Sequence, residues 1–221
     1  MSGKSKLQGI GMTSQRSRNR LVAKLRQMGI SNEKVLNVLS ETPRHIFIEE
    51  ALATRAYENS ALPIGFGQTI SQPYIVALMT QILFESGKME KVLEIGSGCG
   101  YQTAILSKVS REVFGIERVG TLVEKARETI WQLKINNIKL RHGDGMLGWD
   151  EYSPFDAILV AAAPYLVPEE LLKQLKEGGR LIIPIGSDKE QRLTLYTKIQ
   201  NEIVEKEIKS VKFVPLLSGV T

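Results

Sequence analysis

Apolar residues recur along this chain at two spacings, and each spacing predicts a different kind of element. In the segment 14–28 they lie three or four positions apart, which predicts an amphipathic helix. A second helix is predicted to begin with Ser31 as its cap and to end before Pro43. Pro73 begins a third helix, whose apolar side chains form a broad face up to Leu83. The first third of the chain is therefore predicted to be mainly helical.

The segment between the second and third helices has no clear period. Residues 57–72, YENSALPIGFGQTISQ, hold two glycines and a proline, so we predict a long loop. A long loop inside a compact domain is usually either functional or disordered. This loop is therefore a place to look for function.

From Lys91 onward, short apolar strands alternate with helices. The predicted strands are KVLEI, EVFGIE, IKLRH, FDAILVAAA and GRLIIPIG. Such alternation predicts a parallel sheet with helices on both faces and right-handed crossovers. After Gly186, the segments RLTLYTKIQ and EIVEKEIKSVKFV alternate apolar and polar residues, which predicts an antiparallel pair. The predicted fold class is α/β: a mostly parallel, doubly wound sheet with an antiparallel C-terminal strand pair and an N-terminal helical extension.

Length and composition indicate one domain. The chain has 221 residues, 43% of them hydrophobic and 24% charged, values ordinary for a globular protein. We expect residues 1–11 to form a flexible tail, 12–88 to hold the helices and the loop, and 89–221 to form the α/β core. We find no membrane-spanning run and no signal peptide. The single cysteine excludes an internal disulfide and fits a reducing compartment, so we predict a cytoplasmic location.

The formal charge of +5 raises the question of a nucleic-acid partner. Residues 1–30 hold seven Lys and Arg and no acid, so the rest of the chain has 22 basic and 24 acidic side chains. We favour a solvated helix face over a phosphate-binding arm. The second helix, which would enter the major groove of DNA in a helix-turn-helix, presents Glu33 and Glu41 and is poorly suited to that role. Two histidines and one cysteine also argue against a zinc site.

The glycine-rich segment VLEIGSGCGYQTA, residues 92–104, follows the first predicted strand of the sheet. It lacks the G-x-G-x-x-G spacing of dinucleotide-binding loops, because Tyr101 stands where the third glycine is needed. The G-K-[ST] ending of a Walker loop is also absent. Glu94, directly before the loop, would repel a phosphate and attract a cation or an amino group.

Two more acids follow the next two strands. In parallel sheets, ligands bind at the carboxyl ends of the strands. Glu117 ends the second strand, where it can accept hydrogen bonds from both hydroxyls of a ribose. Asp144 follows the third strand, where it can accept a hydrogen bond from an adenine amino group. S-adenosylmethionine has a sulfonium, an ammonium and a ribose diol but no phosphate. Glu94, Glu117 and Asp144 together therefore predict a methyltransferase that uses this cofactor.

Several motifs in order resemble one family of such enzymes. TISQP within residues 62–79, VLEIGSGCGYQTA, HGDG, FDAILVAAAP, VPEELLKQLKEGGRLIIPIG and FVPL (213–216) resemble the protein-L-isoaspartate O-methyltransferases. The resemblance extends from about Met12 to Leu217 and implies a Rossmann-like class I methyltransferase fold. One departure is Cys99, where the family more often has Ser or Thr.

The resemblance implies a reaction and a set of site residues. The family methylates the free α-carboxylate of L-isoaspartyl residues in damaged proteins; the ester closes to a succinimide, whose hydrolysis returns part of it to aspartyl. The implied partners are such damaged proteins. From the sequence itself we expect no membrane, nucleic-acid or metal partner, and we expect a monomer. The implied catalytic residue is Ser71. The implied cofactor-binding residues are Glu94, Gly96, Ser97, Gly98, Gly100, Tyr101, Glu117, Arg118, Asp144 and Gly145, and the substrate-binding ones are Ile70, Ser71, Gln72 and Val214.

This chemistry needs no general base, since a carboxylate with a pKa near 4 is already ionised at neutral pH. By analogy with the family, Ser71 orients that carboxylate; the alternative is a serine that caps the helix at Pro73. For Val214 two alternatives remain open: its backbone contacts the substrate peptide, or it is a buried residue of a strand. For the whole chain, the alternatives are a methyltransferase of RNA or of a small molecule and a non-catalytic binding module.

Overall fold

The computed structural model describes residues 9–85, 87 and 89–221. Within these residues the chain forms nine strands: β1 Leu62–Gly65, β2 Gln68–Ile70, β3 Met89–Ile95, β4 Ser110–Glu117, β5 Ile138–His142, β6 Phe155–Val160, β7 Leu175–Gly186, β8 Gln191–Ile199 and β9 Glu202–Val211. The α-helices of the same residues are α1 Gln15–Gln27, α2 Glu33–Glu41, α3 Pro73–Phe84, α4 Tyr101–Ser107, α5 Gly120–Gln132 and α6 Glu169–Lys173.

Seven of these strands form one sheet in the order β5-β4-β3-β6-β7-β8-β9. The five strands β3 to β7 are parallel, and β8 and β9 are antiparallel to their neighbours. The predicted α/β fold with a closing antiparallel pair is therefore confirmed. Strand order reverses beside β3, because the chain moves outward to β4 and β5 and then returns to β6. Ligands of open α/β sheets bind at such a reversal.

The helices lie where the sequence predicts them, with one cap corrected. The side chain of Asn32, not Ser31, caps α2, because Asn32 Oδ1 accepts a hydrogen bond from the Val35 amide over 3.1 Å. The amide of Ser31 instead donates to Gln81 Oε1 in α3 over 2.8 Å. Asn and Ser are comparable caps, so the sequence alone does not distinguish these two neighbouring positions.

The prediction of a long loop over 57–72 is wrong for residues 62–70, because β1 and β2 form a hairpin there. Leu62 pairs with Ile70 across the two strands. Phe66 and Gly67 turn the chain with φ of +55° and +68°, and positive φ at both central residues is typical of a tight hairpin turn. The G-F-G sequence between two apolar segments is the signal of this hairpin.

Apolar side chains pack on both faces of the large sheet. The first cluster joins one face to the N-terminal helices and the hairpin, and includes Leu25, Leu36, Met79, Val92 and Ile105. The second covers the other face, with Leu93, Ile95, Phe114, Phe155 and Leu181. The N-terminal helices and the sheet thus share one core. No helix in the described ranges is long and apolar enough to span a membrane.

The predicted division of the chain into three parts is only partly visible. Residues 1–8 of the predicted flexible tail, and residues 86 and 88 near the predicted start of the core, lie outside the described residues. Gly11–Thr13 forms a short 3-10 turn before α1. The boundary between 88 and 89 stays a prediction.

Candidate active site

A cleft opens at the carboxyl ends of β3, β4 and β6, where the order of the strands reverses. The glycine loop after β3 forms one wall, and the β1–β2 hairpin and residues 214–217 cover it. The predicted site residues that line it are Ile70, Ser71, Glu94, Gly96, Ser97, Gly98, Tyr101, Glu117, Arg118, Gly145 and Val214. Gln72, Gly100 and Asp144 do not line it.

The glycine loop uses several of its backbone amides internally. The amides of Gly96 and Ser97 both donate to the Ile116 carbonyl, over 2.8 and 3.1 Å. The Gly98 amide donates to Glu117 Oε2 over 2.8 Å. Phosphate-binding loops direct their amides at the ligand instead. The observed loop is therefore poorly suited to a pyrophosphate or a triphosphate, in agreement with its sequence.

Gly100 lies behind the cleft and not in its wall. Its φ is +86°, and a Cβ there would lie 3.2 Å from Ala126 Cβ and 3.3 Å from Ile130 Cδ1 in α5. Both the positive φ and the close helix favour glycine at this position. Gly100 thus allows α5 to approach, and its predicted cofactor contact stays a prediction.

Glu117 ends β4 with its carboxylate fixed by two backbone amides. Oε2 accepts from Gly98, and Oε1 accepts from Val119 over 3.0 Å. The residue is only 5% exposed, yet it lines the cleft. A carboxylate oxygen can accept more than one hydrogen bond, so both oxygens can still accept donors from a ligand. This fixed acceptor fits the predicted ribose contact.

Glu94 is a fully buried acid that also lines the cleft. Within the described residues, neither of its carboxyl oxygens has a hydrogen-bond partner. Burial raises the pKa of this carboxyl to about 8; the neighbouring Thr103 hydroxyl, although it is not in hydrogen-bond geometry, opposes the rise, and the Glu117 carboxylate adds to it. A buried acid without a partner is costly. The position is thus suited to a cationic ligand that would ionise the acid and pair with it.

Two more buried polar atoms in the cleft wall lack hydrogen-bond partners within the described ranges. They are the hydroxyl oxygen of Ser97 and Nε of Arg118. The Arg118 carbonyl, by contrast, is engaged by the Thr221 amide over 2.7 Å and by His142 Nε2 over 2.9 Å. His142 thus supports the Arg118 backbone from outside the cleft, whereas Ser97 and Arg118 offer polar atoms to a ligand.

Asp144 and Gly145 follow β5 and have different surroundings. Asp144 Oδ1 accepts from the Met146 amide over 2.8 Å, and Oδ2 accepts from the Gly219 amide over 2.7 Å. Asp144 thus ties the C-terminal segment to the sheet edge, and its adenine contact stays a prediction. At Gly145, which lines the cleft, a Cβ would lie 2.3 Å from Ile95 Cγ2, so a side chain would require the strand to move.

Tyr101 is a core residue whose side chain borders the cleft. It is 1% exposed, its ring lies 5.4 Å from that of Phe47, and the Arg44 guanidinium lies 4.9 Å from its centroid. Burial raises the pKa of the Tyr101 phenol. The ring therefore packs the segment before β1 against the glycine loop.

Ser71 lies at the start of α3, but it is not the cap of that helix. Gln72 occupies the N-cap position without a side-chain bond, and the Tyr74 amide donates to Asn59 Oδ1 over 3.0 Å. The helix-cap alternative for Ser71 is therefore wrong. Gln72 Nε2 donates to the Asn59 carbonyl over 2.8 Å. Ser71 itself borders the cleft, where its hydroxyl is available to a ligand.

A second depression, here called the side groove, adjoins the cleft. It is lined by Met28, Ala161 and parts of the segments 59–61, 69–75 and 209–214, and it includes Gln72. Its volume of about 730 Å³ lies within the range of ligand pockets, about 300–1,000 Å³. The cleft and the side groove share four residues: Thr69, Ser71, Ala161 and Val214. Ser71 thus lies where the two meet.

The segment after β9 closes the junction and is held by backbone pairing. The Ala163 amide donates to the Val214 carbonyl, and the Leu216 amide donates to the Ala163 carbonyl, both over 2.8 Å. The buried side-chain amide of Gln191 bonds both backbone groups of Phe213, over 2.6 and 3.1 Å. Val214 is half-buried and follows the last strand, so the buried-strand alternative is wrong. Its backbone contact with a peptide stays a prediction.

Several residues of the cleft were not predicted from the sequence. Ile64 and Thr69 reach it from the hairpin, and Ala161 and Ala162 follow β6. The hairpin turn would have indicated the first two, and the position of β6 beside the strand reversal would have indicated the others. Metal ligands were not expected, and no group of three or more His, Cys, Asp or Glu in the described ranges could hold a metal ion. A metal-free reaction stays a prediction.

Comparison with known sequences gives one consistent family. Residues 16–221 match the family model described as protein-L-isoaspartate(D-aspartate) O-methyltransferase (PCMT). A protein-L-isoaspartate O-methyltransferase of Methylobacillus flagellatus is 55% identical over 217 residues, 96% of this chain and 97% of that protein. Another, of Hahella chejuensis, is 55% identical over 209 residues, 95% of this chain and 99% of that protein.

Comparison with solved structures agrees. A Plasmodium falciparum structure, described as a putative protein-L-isoaspartate O-methyltransferase in complex with S-adenosyl-L-homocysteine, superposes with a TM-score of 0.79. It is 32% identical and covers 90% of this chain, which in turn covers 98% of that chain. The family model matches from residue 16 onward and so includes the N-terminal helices as well as the α/β core. The fold is that of a class I methyltransferase with this helical extension.

Proposed function

The chain belongs to the protein-L-isoaspartate(D-aspartate) O-methyltransferase family, and from this membership we propose how its cleft performs the family's reaction. It is an enzyme of protein repair that uses S-adenosylmethionine as methyl donor. The alternatives of an RNA or small-molecule methyltransferase and of a non-catalytic module are set aside by the family match. The roles of particular residues in this chain are our proposal.

We assign the cofactor to the cleft beside the glycine loop. The observation that carries this assignment is the buried Glu94 carboxyl, which lines the cleft and has no hydrogen-bond partner within the described chain. A ligand with an ammonium and a sulfonium supplies a positively charged partner for the Glu94 carboxylate, which has none among the described residues. Glu117 accepts hydrogen bonds from the two ribose hydroxyls, and Gly145 lies in the part of the cleft wall that we assign to the adenine. Ser97 and Arg118 contribute further polar contacts.

We assign the isoaspartyl residue to the junction of cleft and side groove. There the Ser71 hydroxyl donates a hydrogen bond to the α-carboxylate and directs one oxygen toward the methyl group. Bound S-adenosylmethionine supplies an electrophilic methyl group on a positively charged sulfur. The carboxylate is already ionised, so the protein has to desolvate and orient it rather than remove a proton, and such placement can contribute about 7–11 kcal/mol. Ile70, Gln72 and Val214 hold the adjoining peptide.

The proposed product is the α-methyl ester of the isoaspartyl residue. Methoxide leaves an ester far more readily than an oxygen leaves a carboxylate, so the neighbouring peptide nitrogen can displace methanol and close a succinimide. Water then opens that ring to either linkage, which returns part of the material to normal aspartyl. Ring closure is an intramolecular reaction of the ester, so it needs no residue of this chain.

A pair of matched peptides tests the proposal. Methyl-labelled S-adenosylmethionine is supplied with an isoaspartyl peptide and, separately, with its normal aspartyl twin. We expect base-labile label on the isoaspartyl peptide alone. Label on both peptides, or on neither while the protein still binds S-adenosylhomocysteine by calorimetry, would contradict the assignment of the side groove to isoaspartyl peptides.

Two further expectations accompany the proposal. The cytoplasmic location predicted from the cysteine content stays a prediction, and fractionation of the producing cells tests it. The expected monomer also stays a prediction. Light scattering at several protein concentrations measures it, and a mass that doubles with concentration would contradict it.

A further inference from the structure

The charges that line the side groove have one sign. Lys209 and Lys212 line it, and none of the described residues in its lining has a carboxylate. Earlier on β9, cations and acids alternate, and Glu207 forms an ion pair with Arg192 of β8. Within the described residues, neither Lys209 nor Lys212 lies within 4.0 Å of a carboxylate. The groove therefore offers positive charge that the protein itself does not neutralise.

Both lysines extend from backbone that is held in place. The Lys209 ammonium lies 4.6 Å from the ring centroid of Tyr74, whose amide is fixed by Asn59 at the start of α3. An aromatic face orients an ammonium and leaves N–H groups free to donate to a carboxylate. Lys212 precedes Phe213, whose amide and carbonyl both bond the Gln191 side chain. These two cations are thus presented on fixed backbone.

The lysines lie beside the reacting groups and not among them. Lys209 and Lys212 line the side groove but not the cofactor cleft, whereas Ser71 lines both. An acceptor carboxylate placed at Ser71 would therefore leave the lysines to face the residues on either side of the isoaspartyl residue. A carboxylate on one of those neighbours matches their charge.

We propose that the side groove favours isoaspartyl peptides with an acidic residue next to the isoaspartyl residue, and that Lys209 and Lys212 determine this preference. The inference rests on the proposed function, because it presumes that the groove holds the peptide. It concerns which damaged sites this enzyme repairs first. Acidic segments, in which aspartyl residues have acidic neighbours, become its preferred substrates.

A set of short peptides that differ at one position tests it. Each contains one isoaspartyl residue in an alanine background, with Glu, Gln or Lys directly before it or directly after it. Exposed ion pairs are weak and salt-sensitive, so we expect KM to be roughly three- to fivefold lower for the better-placed Glu peptide than for its Gln twin, with kcat unchanged. The Lys peptide should have the highest KM, and high salt should reduce the differences.

Variants of the lysines assign the effect. The double variant Lys209→Gln with Lys212→Gln should give equal KM for the Glu and Gln peptides, while Lys→Arg at both positions should retain the preference. Lys206→Gln is the matched control, because Lys206 is exposed on the same strand but does not line the groove. Its peptide preference should equal that of the unmodified enzyme.

The outcomes separate this inference from the function on which it rests. Equal KM for all the peptides in the unmodified enzyme, or a preference that survives in the double glutamine variant, would overturn the inference and leave isoaspartyl methylation standing. A preference for Lys over Glu would overturn it as well. No methylation of any isoaspartyl peptide would instead remove the proposed peptide site, and the inference with it.

Discussion

The cofactor cleft and the side groove meet at Ser71, yet they hold charge in different ways. The cleft has buried acids, Glu94 and Glu117, at the ends of two neighbouring strands. The side groove has exposed cations, Lys209 and Lys212, at the end of the sheet and just beyond it. Buried charges act strongly and allow little variation, whereas exposed charges are screened by water and salt. The first arrangement suits a ligand that is identical in every turnover, and the second suits peptides that vary.

The signs of the charges also match the two reactants. The acidic cleft faces a cationic methyl donor, and the basic groove faces a peptide whose acceptor is an anion. Methyl transfer consumes both charges, so ionic partners at the reacting atoms would favour the ground state over the transition state. The uncharged Ser71 lies at the junction, with the charged residues on either side of it. A substitution can therefore change one side of this division and leave the other intact.

The largest expected effect comes from a substitution of Ser71, which lies where the cleft and the side groove meet. Ser71→Ala should lower kcat about 100-fold, because a misplaced acceptor can cost about that much in rate. The Kd for S-adenosylhomocysteine should stay within about twofold, since the serine lies at the edge of the cofactor cleft. Steady-state kinetics with an isoaspartyl peptide, together with calorimetry, measure both values.

The control for this variant is Ser210→Ala. Ser210 lines the side groove but not the cleft, so its loss should leave kcat unchanged. A parallel loss of kcat and cofactor affinity in Ser71→Ala would instead indicate a structural role for that serine.

A smaller effect is expected on the cofactor side. Glu117→Ala should weaken S-adenosylhomocysteine about 30-fold, since hydrogen bonds to a charged group contribute about 1.5–3 kcal/mol. The variant removes the ribose acceptor and the partner of the Gly98 amide. Glu112→Ala, on the same strand outside the cleft, is the control. Unchanged affinity in a folded Glu117 variant would contradict the ribose contact.

A substitution of the buried Glu94 should also weaken cofactor binding, by a smaller factor. Glu94→Gln keeps the shape of the side chain and removes its charge, so cofactor affinity should fall about tenfold. The loss should be greater for S-adenosylmethionine than for S-adenosylhomocysteine, because the former has the additional sulfonium charge. Equal affinities for the variant and the unmodified enzyme, measured by calorimetry, would place the cationic groups of the ligand elsewhere.

The pH dependence of binding follows from the same residue. Burial raises the pKa of Glu94 to about 8, so a cation that pairs with it must displace a proton below that pH. Affinity should rise with pH up to about 8, by at most about tenfold per unit, and binding should release protons. Calorimetry in buffers of different ionisation enthalpy measures that release. Glu94→Gln should bind with no such dependence.

The raised pKa of Glu94 affects the stability of the ligand-free protein in the opposite direction: stability should fall as pH rises. Because the pKa of Glu94 is raised on folding, its stabilising contribution is complete below the ordinary carboxyl pKa and is lost as pH rises to about 8. The Tm of the unmodified protein should therefore fall over this range more than that of Glu94→Gln. Parallel curves for the two proteins would show that the buried acid does not titrate there.

The cleft was more predictable from the sequence than the groove, for a physical reason. Strand periodicity fixes which residues end β3 and β4, and chain direction brings the ends of parallel strands to one edge. Glu94, Glu117 and the glycine loop are therefore predictable from the sequence alone. Their hydrogen-bond partners are not predictable from the sequence. The bond from the Gly98 amide to Glu117 and the bond from the Gly219 amide to Asp144 depend on loop geometry, which hydrophobic periodicity does not determine.

The side groove depends on contacts between distant segments. Its lining joins residues near 60, near 72 and near 210, and nothing in their local sequence predicts that they meet. The resemblance supplied Ser71, Gln72 and Val214, but not Lys209 or Lys212. The hairpin at Phe66 was not predicted because its strands are only four and three residues long.

The smallest expected effect concerns the residue that holds the groove together. Gln191 is 5% exposed, and its side-chain amide fixes Phe213 between Lys212 and Val214. Gln191→Ala should raise the peptide KM about fivefold, since a net hydrogen bond contributes about 1 kcal/mol, and leave cofactor Kd unchanged. If cofactor affinity fell as much as peptide affinity, the segment after β9 would serve both regions, and the division between cleft and groove would not hold.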